Sequence, residues 1–121
     1  MRTKIRLSLT LLLLLGTMLT GWTHAFLDHT KPAVGSQIHN APPQVKVWFT
    51  EKLEPALGRL QVFDAAGQRV DRRDVGVDRS DPTILEVSLP ILKPGKYRVS
   101  WQVVSVDTHV TSGTFSFEII P

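Results

Sequence analysis

The clearest structural signal lies in residues 97–119, which read YRVSWQVVSVDTHVTSGTFSFEI. Apolar and polar side chains alternate twice in this stretch, first over residues 97–104 and again over residues 114–119. Alternation with a period of two is typical of a strand that has one buried and one solvent-facing side. The stretch therefore predicts two strands, with Asp107-Thr108-His109 in the connection between them.

Shorter runs with the same alternation occur earlier, at residues 45–50, 59–62 and 85–89, and Val70 and Val75 give a weaker strand signal. Turn-forming residues separate the runs, among them Asp64-Ala65-Ala66-Gly67, where the glycine can take a positive φ. No run after the first 23 residues keeps a helical period. The 121 residues therefore predict one all-β domain, a two-sheet sandwich or small barrel of about six or seven strands.

Most aromatic side chains fall on the apolar side of these predicted strands. Phe49, Trp101, Phe115 and Phe117 are therefore expected in the core. Trp48 lies on the opposite side from its neighbours, so it is expected to be partly exposed or to cover a sheet edge.

Composition excludes several classes of function. Without Cys the chain has no disulfide scaffold, iron–sulfur cluster, thiolate zinc site or thiol nucleophile. Three of the 14 Lys and Arg residues lie in the first six positions, which leaves 11 basic and 11 acidic side chains in residues 24–121. This balance argues against nucleic-acid binding by a basic face. Arg72 and Arg73 lie among Asp71, Asp74 and Asp78, which predicts a solvated loop and not an anion site.

Residues 1–23 have the pattern of a secretory signal peptide. Basic residues come first, an apolar stretch from Leu7 to Leu19 follows, and small or polar residues come last. The alternative is an uncleaved membrane anchor, but polar residues interrupt the stretch and it is shorter than the ~20 residues that span a bilayer. The pattern therefore predicts export of a mature chain without a membrane-embedded segment.

Two cleavage sites fit the small-residue preference of signal peptidases. Cleavage after Thr23 would leave His24 as the first mature residue, whereas cleavage after Ala25 would leave Phe26. The preference for small residues by itself slightly favours the second site.

His24 would become a chelating residue if it began the mature chain. A free N-terminal His offers its α-amine and imidazole Nδ1 to one metal ion, and the ordinary pKa of the amine, about 7.7–8.0, lets a metal displace its proton at neutral pH. Asp107 and His109 would complete a set of one amine, two imidazoles and one carboxylate. Such a nitrogen-rich set suits tetragonal Cu(II), and it lacks the sulfur ligands that Cu(I) prefers.

Taken alone, the Asp107-Thr108-His109 pattern is a weak signal. In a β-protein it more often marks an Asp that fixes a turn and a His exposed at the tip. His29 and His39 are interpreted as exposed spectators, although His29 lies close enough to the predicted N-terminus to act as an outer-sphere or alternative ligand.

Longer blocks of sequence carry a resemblance to a known family. The longest is residues 92–109, LKPGKYRVSWQVVSVDTH; the others are residues 24–27, 30–35, 43–51, 64–67 and 112–117. In this order they resemble the CopC-type periplasmic copper-binding proteins, also known as copper-resistance proteins, over nearly all of residues 24–120.

The resemblance implies an immunoglobulin-like Greek-key β-sandwich that holds one Cu(II) ion through His24, Asp107 and His109. It also implies cleavage after Thr23, a periplasmic role in copper homeostasis or resistance as carrier, buffer or donor, and a CopD-type inner-membrane partner. The domain would then span residues 24–121.

Two departures from the family pattern stand out. Some family members bind Cu(I) through a Met-rich segment, but this chain has no Met after Met18, so no Cu(I) site is expected. Thr108 stands where the family usually has Gly, so a positive φ there would strain a β-branched residue.

Two other functions remain open from the sequence. A copper enzyme resembling the histidine brace of lytic polysaccharide monooxygenases is disfavoured, because Asp107 would fill a coordination position and no exposed aromatic platform is evident. A metal-free immunoglobulin-like interaction module fits the sandwich pattern as well. A mature chain that begins at Phe26 would favour that module.

Overall fold

Eight β-strands make up most of the regular structure in residues 25–121, the part of the chain that the computed structural model describes. The strands are β1 (Leu27–Lys31), β2 (Gln37–Ile38), β3 (Gln44–Phe49), β4 (Arg59–Phe63), β5 (Gly76–Val77), β6 (Ile84–Ser88), β7 (Gly95–Val104) and β8 (Val110–Ile119). A turn of 3-10 helix covers Pro55–Leu57. Within these residues no helix has the length and apolar character needed to cross a membrane. The predicted signal segment 1–23 and the predicted ligand His24 lie outside the described residues.

The strands form two four-stranded sheets, ordered β1-β3-β6-β5 and β2-β8-β7-β4. This confirms the predicted all-β sandwich. Each of the five strongly alternating runs lies in a strand, namely β3, β4, β6, β7 and β8. The weak signal at Val70 and Val75 does not form a strand at those residues; β5 begins directly after Val75.

The core lies between the two sheets and contains the aromatic residues that the alternation placed there. Phe49, Trp101, Phe115 and Phe117 are all buried, and the rings of Phe49 and Trp101 meet edge to face at 5.0 Å. Gly113 on β8 faces Trp101, where a Cβ would lie 2.7 Å from the indole ring. Only glycine therefore fits opposite this Trp without a shift of the ring.

Trp48 is half-buried on the other side of β3, as its position in the alternation predicted. Its indole stacks on the imidazole of His29 with ring centroids 4.3 Å apart. The stack covers part of the outer side of the β1-β3 pair.

The turn at residues 64–67 follows β4 and has the predicted hairpin geometry. Gly67 has a φ of 80°, and the Asp64 Oδ1 accepts hydrogen bonds from the backbone N–H groups of Ala66 and Gln68 at 3.0 and 2.9 Å. This is the side-chain turn that Asp favours at such positions.

The charged stretch after this turn differs from the prediction at one residue. Arg72, Arg73 and Asp74 are exposed, as expected of a solvated loop, but Asp71 is buried. Its carboxylate lies against the guanidinium of Arg69, which makes two hydrogen bonds to it at 2.9 and 3.0 Å. The prediction was wrong for Asp71 because a buried carboxylate becomes acceptable once it is paired and fully hydrogen-bonded.

The long β7–β8 hairpin positions the candidate site. Its two ten-residue strands pair along their whole length, from Gly95 opposite Ile119 to Val104 opposite Val110. The five residues of the connection, 105–109, therefore lie at one end of the sandwich, and the Gly95 end of the hairpin lies at the other.

Candidate metal centre

Backbone hydrogen bonds fold residues 105–109 into a tight turn. The N–H of Thr108 donates to the carbonyl of Ser105 at 2.8 Å, and the N–H of Ser105 donates to the carbonyl of His109 at 3.0 Å. This is the pattern of a hairpin loop that closes through one residue in the left-handed region. Thr108 is that residue, with a φ of 71°.

The turn thus requires a positive φ where the sequence has a β-branched residue. Left-handed backbone is strained for a β-branched side chain. The Thr108 hydroxyl donates a hydrogen bond to the Asp107 carbonyl at 2.6 Å within the same turn. Thr108 therefore has the strained positive φ that the sequence analysis considered. The turn nevertheless brings the side chains of Asp107 and His109 together.

Asp107 and His109 form a pair at the surface. The Nδ1 of His109 lies 3.2 Å from the Oδ2 of Asp107, and the two side chains are 51% and 40% exposed, respectively. An exposed carboxylate beside an imidazole offers an oxygen and a nitrogen donor that an ion from solvent can reach. The structure therefore brings two of the three predicted ligands together.

The other carboxylate oxygen of Asp107 is hydrogen-bonded to the interior of the domain. Its Oδ1 accepts a hydrogen bond from the hydroxyl of Ser105, which is buried. The hydrogen bond from this hydroxyl lowers the pKa of Asp107 below its ordinary value, and His109 lowers it further. Desolvation raises the pKa by a smaller amount. The carboxylate is therefore ionised at neutral pH, the form that binds a metal ion.

The chain enters the described region at this same end of the sandwich. Ala25 is fully buried, and its carbonyl accepts a hydrogen bond from the hydroxyl of Thr111 at 2.8 Å. Phe26 and Thr50 exchange two further hydrogen bonds: the Phe26 N–H donates to the Thr50 Oγ1 at 3.0 Å, and the Thr50 N–H donates to the Phe26 carbonyl at 2.9 Å. Thr111 lies two residues after His109, so the first described residue is anchored beside the pair.

No third ligand joins the pair within the described residues. Across residues 25–121, no three His, Cys, Asp or Glu side chains lie close enough together to hold one metal ion. His29 bonds instead to Asp28, with Nδ1 2.6 Å from Oδ2, and stacks on Trp48. The Nδ1 of His39 lies 3.1 Å from the carbonyl oxygen of Pro121. Neither of these histidines completes a site with Asp107 and His109.

Two residues that support the site were not among the predicted site residues. Ser105 continues the inward phase of Val103, so a polar residue at the end of an apolar series was the available signal. Thr111 occupies an inner position of β8 and gave no signal, because its partner is the distant carbonyl of Ala25.

Comparison with known proteins gives one consistent result. The sequence model of the CopC domain matches residues 27–120. Protein YobA of Escherichia coli (strain K12) is 33% identical over 99 residues, which is 81% of this chain and 80% of that protein. Copper transport protein CutJ of Bacillus subtilis (strain 168) is 32% identical over 101 residues, which is 83% of this chain but only 19% of CutJ.

A solved structure shows the same fold. The crystal structure of CopC from Methylosinus trichosporium OB3b superimposes with a TM-score of 0.76 at 28% sequence identity, covering 81% of this chain and 95% of that one. The alignment thus includes nearly all of the sandwich that the Methylosinus protein contains.

Proposed function

The chain belongs to the CopC family, and on this premise we propose that its exported form holds one Cu(II) ion through His24, Asp107 and His109. A copper-related function follows from the family itself. The Asp107–His109 pair at the exposed end of the β7–β8 hairpin is the observation that carries the choice of site.

The hydrogen bond that anchors Ala25 supports His24 as the third ligand. Consecutive Cα atoms are about 3.8 Å apart, so the residue before Ala25 cannot lie far from the point where Thr111 holds the Ala25 carbonyl. That point is two residues from His109. A mature chain that began at His24 would therefore carry its α-amine and Nδ1 one residue from this anchor.

The burial of Ala25 also supports cleavage after Thr23. Ala25 is part of the hydrophobic core and has no exposed surface. A peptidase that cut after Ala25 would remove this core residue and its hydrogen bond to Thr111. Cleavage after Thr23 keeps both and leaves His24 with a free amine.

The donor chemistry selects the oxidation state. An amine, two imidazoles and one carboxylate form a set that suits tetragonal Cu(II). Met1 and Met18 are the only Met residues and both precede the proposed cleavage, so the mature chain offers no thioether to Cu(I). We therefore assign no Cu(I) site.

The proposed role is that of a periplasmic carrier, buffer or donor of copper, without catalysis. Among the relatives, CutJ is named as a copper transport protein. A site at the exposed end of a hairpin suits an ion that is loaded and then passed on, and a CopD-type inner-membrane protein is the proposed recipient or source.

The decisive experiment tests the N-terminal chelate. The secreted protein is titrated with Cu(II) in competition with a chelator of known affinity, and its first residue is determined by mass spectrometry. We expect a chain that starts at His24, and we expect His24→Ala or one residue added before His24 to weaken Cu(II) binding at least about tenfold, because each change removes a donor of the chelate ring.

His39→Ala serves as the matched control, since it removes another imidazole whose contact is the Pro121 carbonyl. It should leave the affinity unchanged. An unaltered affinity in the His24 variants, or a mature chain that starts at Phe26, would contradict the proposed site.

A further inference from the structure

Ser105 lies directly below the Asp107–His109 pair and touches both residues. Ser105 is 1% exposed, and its hydroxyl donates to the Oδ1 of Asp107. Its backbone N–H donates to the His109 carbonyl at 3.0 Å, and its carbonyl accepts from the N–H of Thr108 at 2.8 Å. One buried residue therefore fixes the carboxylate and both ends of the turn.

A hydroxyl has a single proton, and that of Ser105 has the Asp107 Oδ1 as its nearer acceptor; the His109 carbonyl oxygen, 3.4 Å from the Ser105 Oγ, is a second and more distant one. The Oδ2 is then the oxygen that lies 3.2 Å from the His109 Nδ1. The two oxygens of the carboxylate are thus unequal: one is tied to the interior of the domain, and the other faces the imidazole.

We propose that Ser105 is a positioning residue that makes Asp107 a one-oxygen donor, with Oδ2 directed to the copper ion beside His109. This inference rests on the proposed function and deepens it. By holding Oδ1, the hydroxyl removes the rotation that would let an exposed carboxylate turn to solvent or take the ion through both oxygens. The geometry at copper is then set by a residue that does not touch the ion.

The location of Ser105 fits this role better than a packing role. It follows Val99, Trp101 and Val103 on the inward side of β7, where an apolar residue would continue the core. A buried hydroxyl without a hydrogen-bond partner costs the folded state stability. Ser105 avoids this cost through its bond to Asp107, which gives a polar residue a reason to be at this position.

The test is a double-mutant cycle on the secreted full-length mature protein, with Cu(II) as the probe. Affinity is measured by chelator competition and the copper environment by electron paramagnetic resonance, for Ser105→Ala, Asp107→Ala and the double variant. We expect Ser105→Ala to weaken Cu(II) binding about 10- to 100-fold, as outer-shell partners do, and to change the hyperfine splitting. In the Asp107→Ala background, Ser105→Ala should have no further effect on Cu(II) binding, because the carboxylate that the hydroxyl positions is gone.

Two further variants separate positioning from packing. Ser105→Thr keeps the hydroxyl and should have the Cu(II) affinity and the spectrum of the unmodified protein. Ser100→Ala removes a hydroxyl from the outward-facing side of β7 and should change neither. Thermal unfolding of each apo variant shows that it is folded before copper is added.

The outcomes distinguish this inference from the proposed function. If the unmodified protein binds Cu(II) and Ser105→Ala weakens binding equally with and without Asp107, the positioning role is wrong while the copper site stands. The same conclusion follows if the Ser105→Ala spectrum and affinity match those of the unmodified protein. If the unmodified protein does not bind Cu(II), both proposals fail.

Discussion

The pKa values of Asp71 and Asp107 are both lowered, but the two carboxylates lie in very different environments. The Asp71 side chain is 0% exposed and lies beside the guanidinium of Arg69, whereas that of Asp107 is 40% exposed beside an imidazole. The comparison shows that an Asp surrounded by its own chain, such as Asp71, has a structural role. An Asp with one oxygen directed to solvent and to another donor group, such as Asp107, is a candidate metal ligand.

The Asp71 carboxylate is saturated with hydrogen bonds from its own chain. Its Oδ2 accepts from the Val62 N–H and the Arg69 Nε, both at 2.9 Å, and its Oδ1 accepts from the Arg69 Nη2 at 3.0 Å and the Arg73 N–H at 2.9 Å. Val62 belongs to β4, the edge strand of its sheet, so Asp71 satisfies an edge donor that would otherwise be open to another chain.

The largest expected effect is on folding stability at Asp71. Asp71→Ala should lower the free energy of unfolding by about 3 kcal/mol, because it leaves the Arg69 charge and the two backbone donors without their partner. Urea unfolding followed by tryptophan fluorescence measures the change. The variant should retain the Cu(II) affinity of the unmodified protein, since the carboxylate serves the fold alone.

Asp107→Ala is the reciprocal variant. It should lower the free energy of unfolding by only about 1 kcal/mol, because the buried Ser105 hydroxyl keeps a longer contact of 3.4 Å with the His109 carbonyl. It should also weaken Cu(II) binding at least about tenfold. A loss of stability at Asp107 as large as that at Asp71, or equal copper affinity in both variants, would remove the distinction between the two carboxylates.

A smaller effect is expected from the turn that carries Asp107. Thr108→Gly should raise the free energy of unfolding by about 1 kcal/mol, because glycine takes a φ of 71° without the strain of a β-branched side chain. The same urea titration measures this. A destabilised glycine variant would mean that the hydrogen bond from the Thr108 hydroxyl to the Asp107 carbonyl outweighs the strain.

The smallest effect concerns the acid side of the stability curve. Burial opposes ionisation of Asp71, but Arg69 and the backbone N–H groups of Val62 and Arg73 outweigh it and lower its pKa. The stabilisation is therefore complete above the unfolded-state pKa of about 3.9 and is lost as the pH falls through the lower folded-state value.

Asp71→Asn removes this titration. Urea unfolding between about pH 5 and pH 2 should show a shallower loss of stability in the variant than in the unmodified protein. Parallel curves would show that Asp71 does not contribute to acid unfolding.

The long strands could be predicted because alternation over many residues reports burial directly, as in β7 and β8. The short strands β1, β2 and β5 could not, since Gln37–Ile38 and Gly76–Val77 contain too few residues for a period, and β1 carries an irregular register between Leu27 and His29. The burial of Asp71 was missed for a related reason: its partner Arg69 lies two residues away in irregular chain, where charged letters look the same whether paired or solvated.

For the candidate site, the sequence predicted the pair and not its support. Asp107 and His109 could be placed together because a short hairpin connection leaves them little choice of position. The contact of Ser105 with Asp107 depends on the turn hydrogen bonds, and the contact of Thr111 with Ala25 joins residues that are distant in the chain. The long-range contact of Thr111 leaves no local pattern to detect, whereas Ser105 left one weak signal, a polar residue at the end of an apolar series.

The direction of β8 makes the two ends of the polypeptide unequal for anyone who handles the protein. The strand runs from Val110 beside the site to Ile119, so a label attached after Pro121 is displaced by roughly 30 Å from the hairpin tip. A label ahead of His24 would instead convert the α-amine of the proposed chelate into an amide. Affinity tags, surface immobilisation and engineered fusions therefore belong at the carboxyl end.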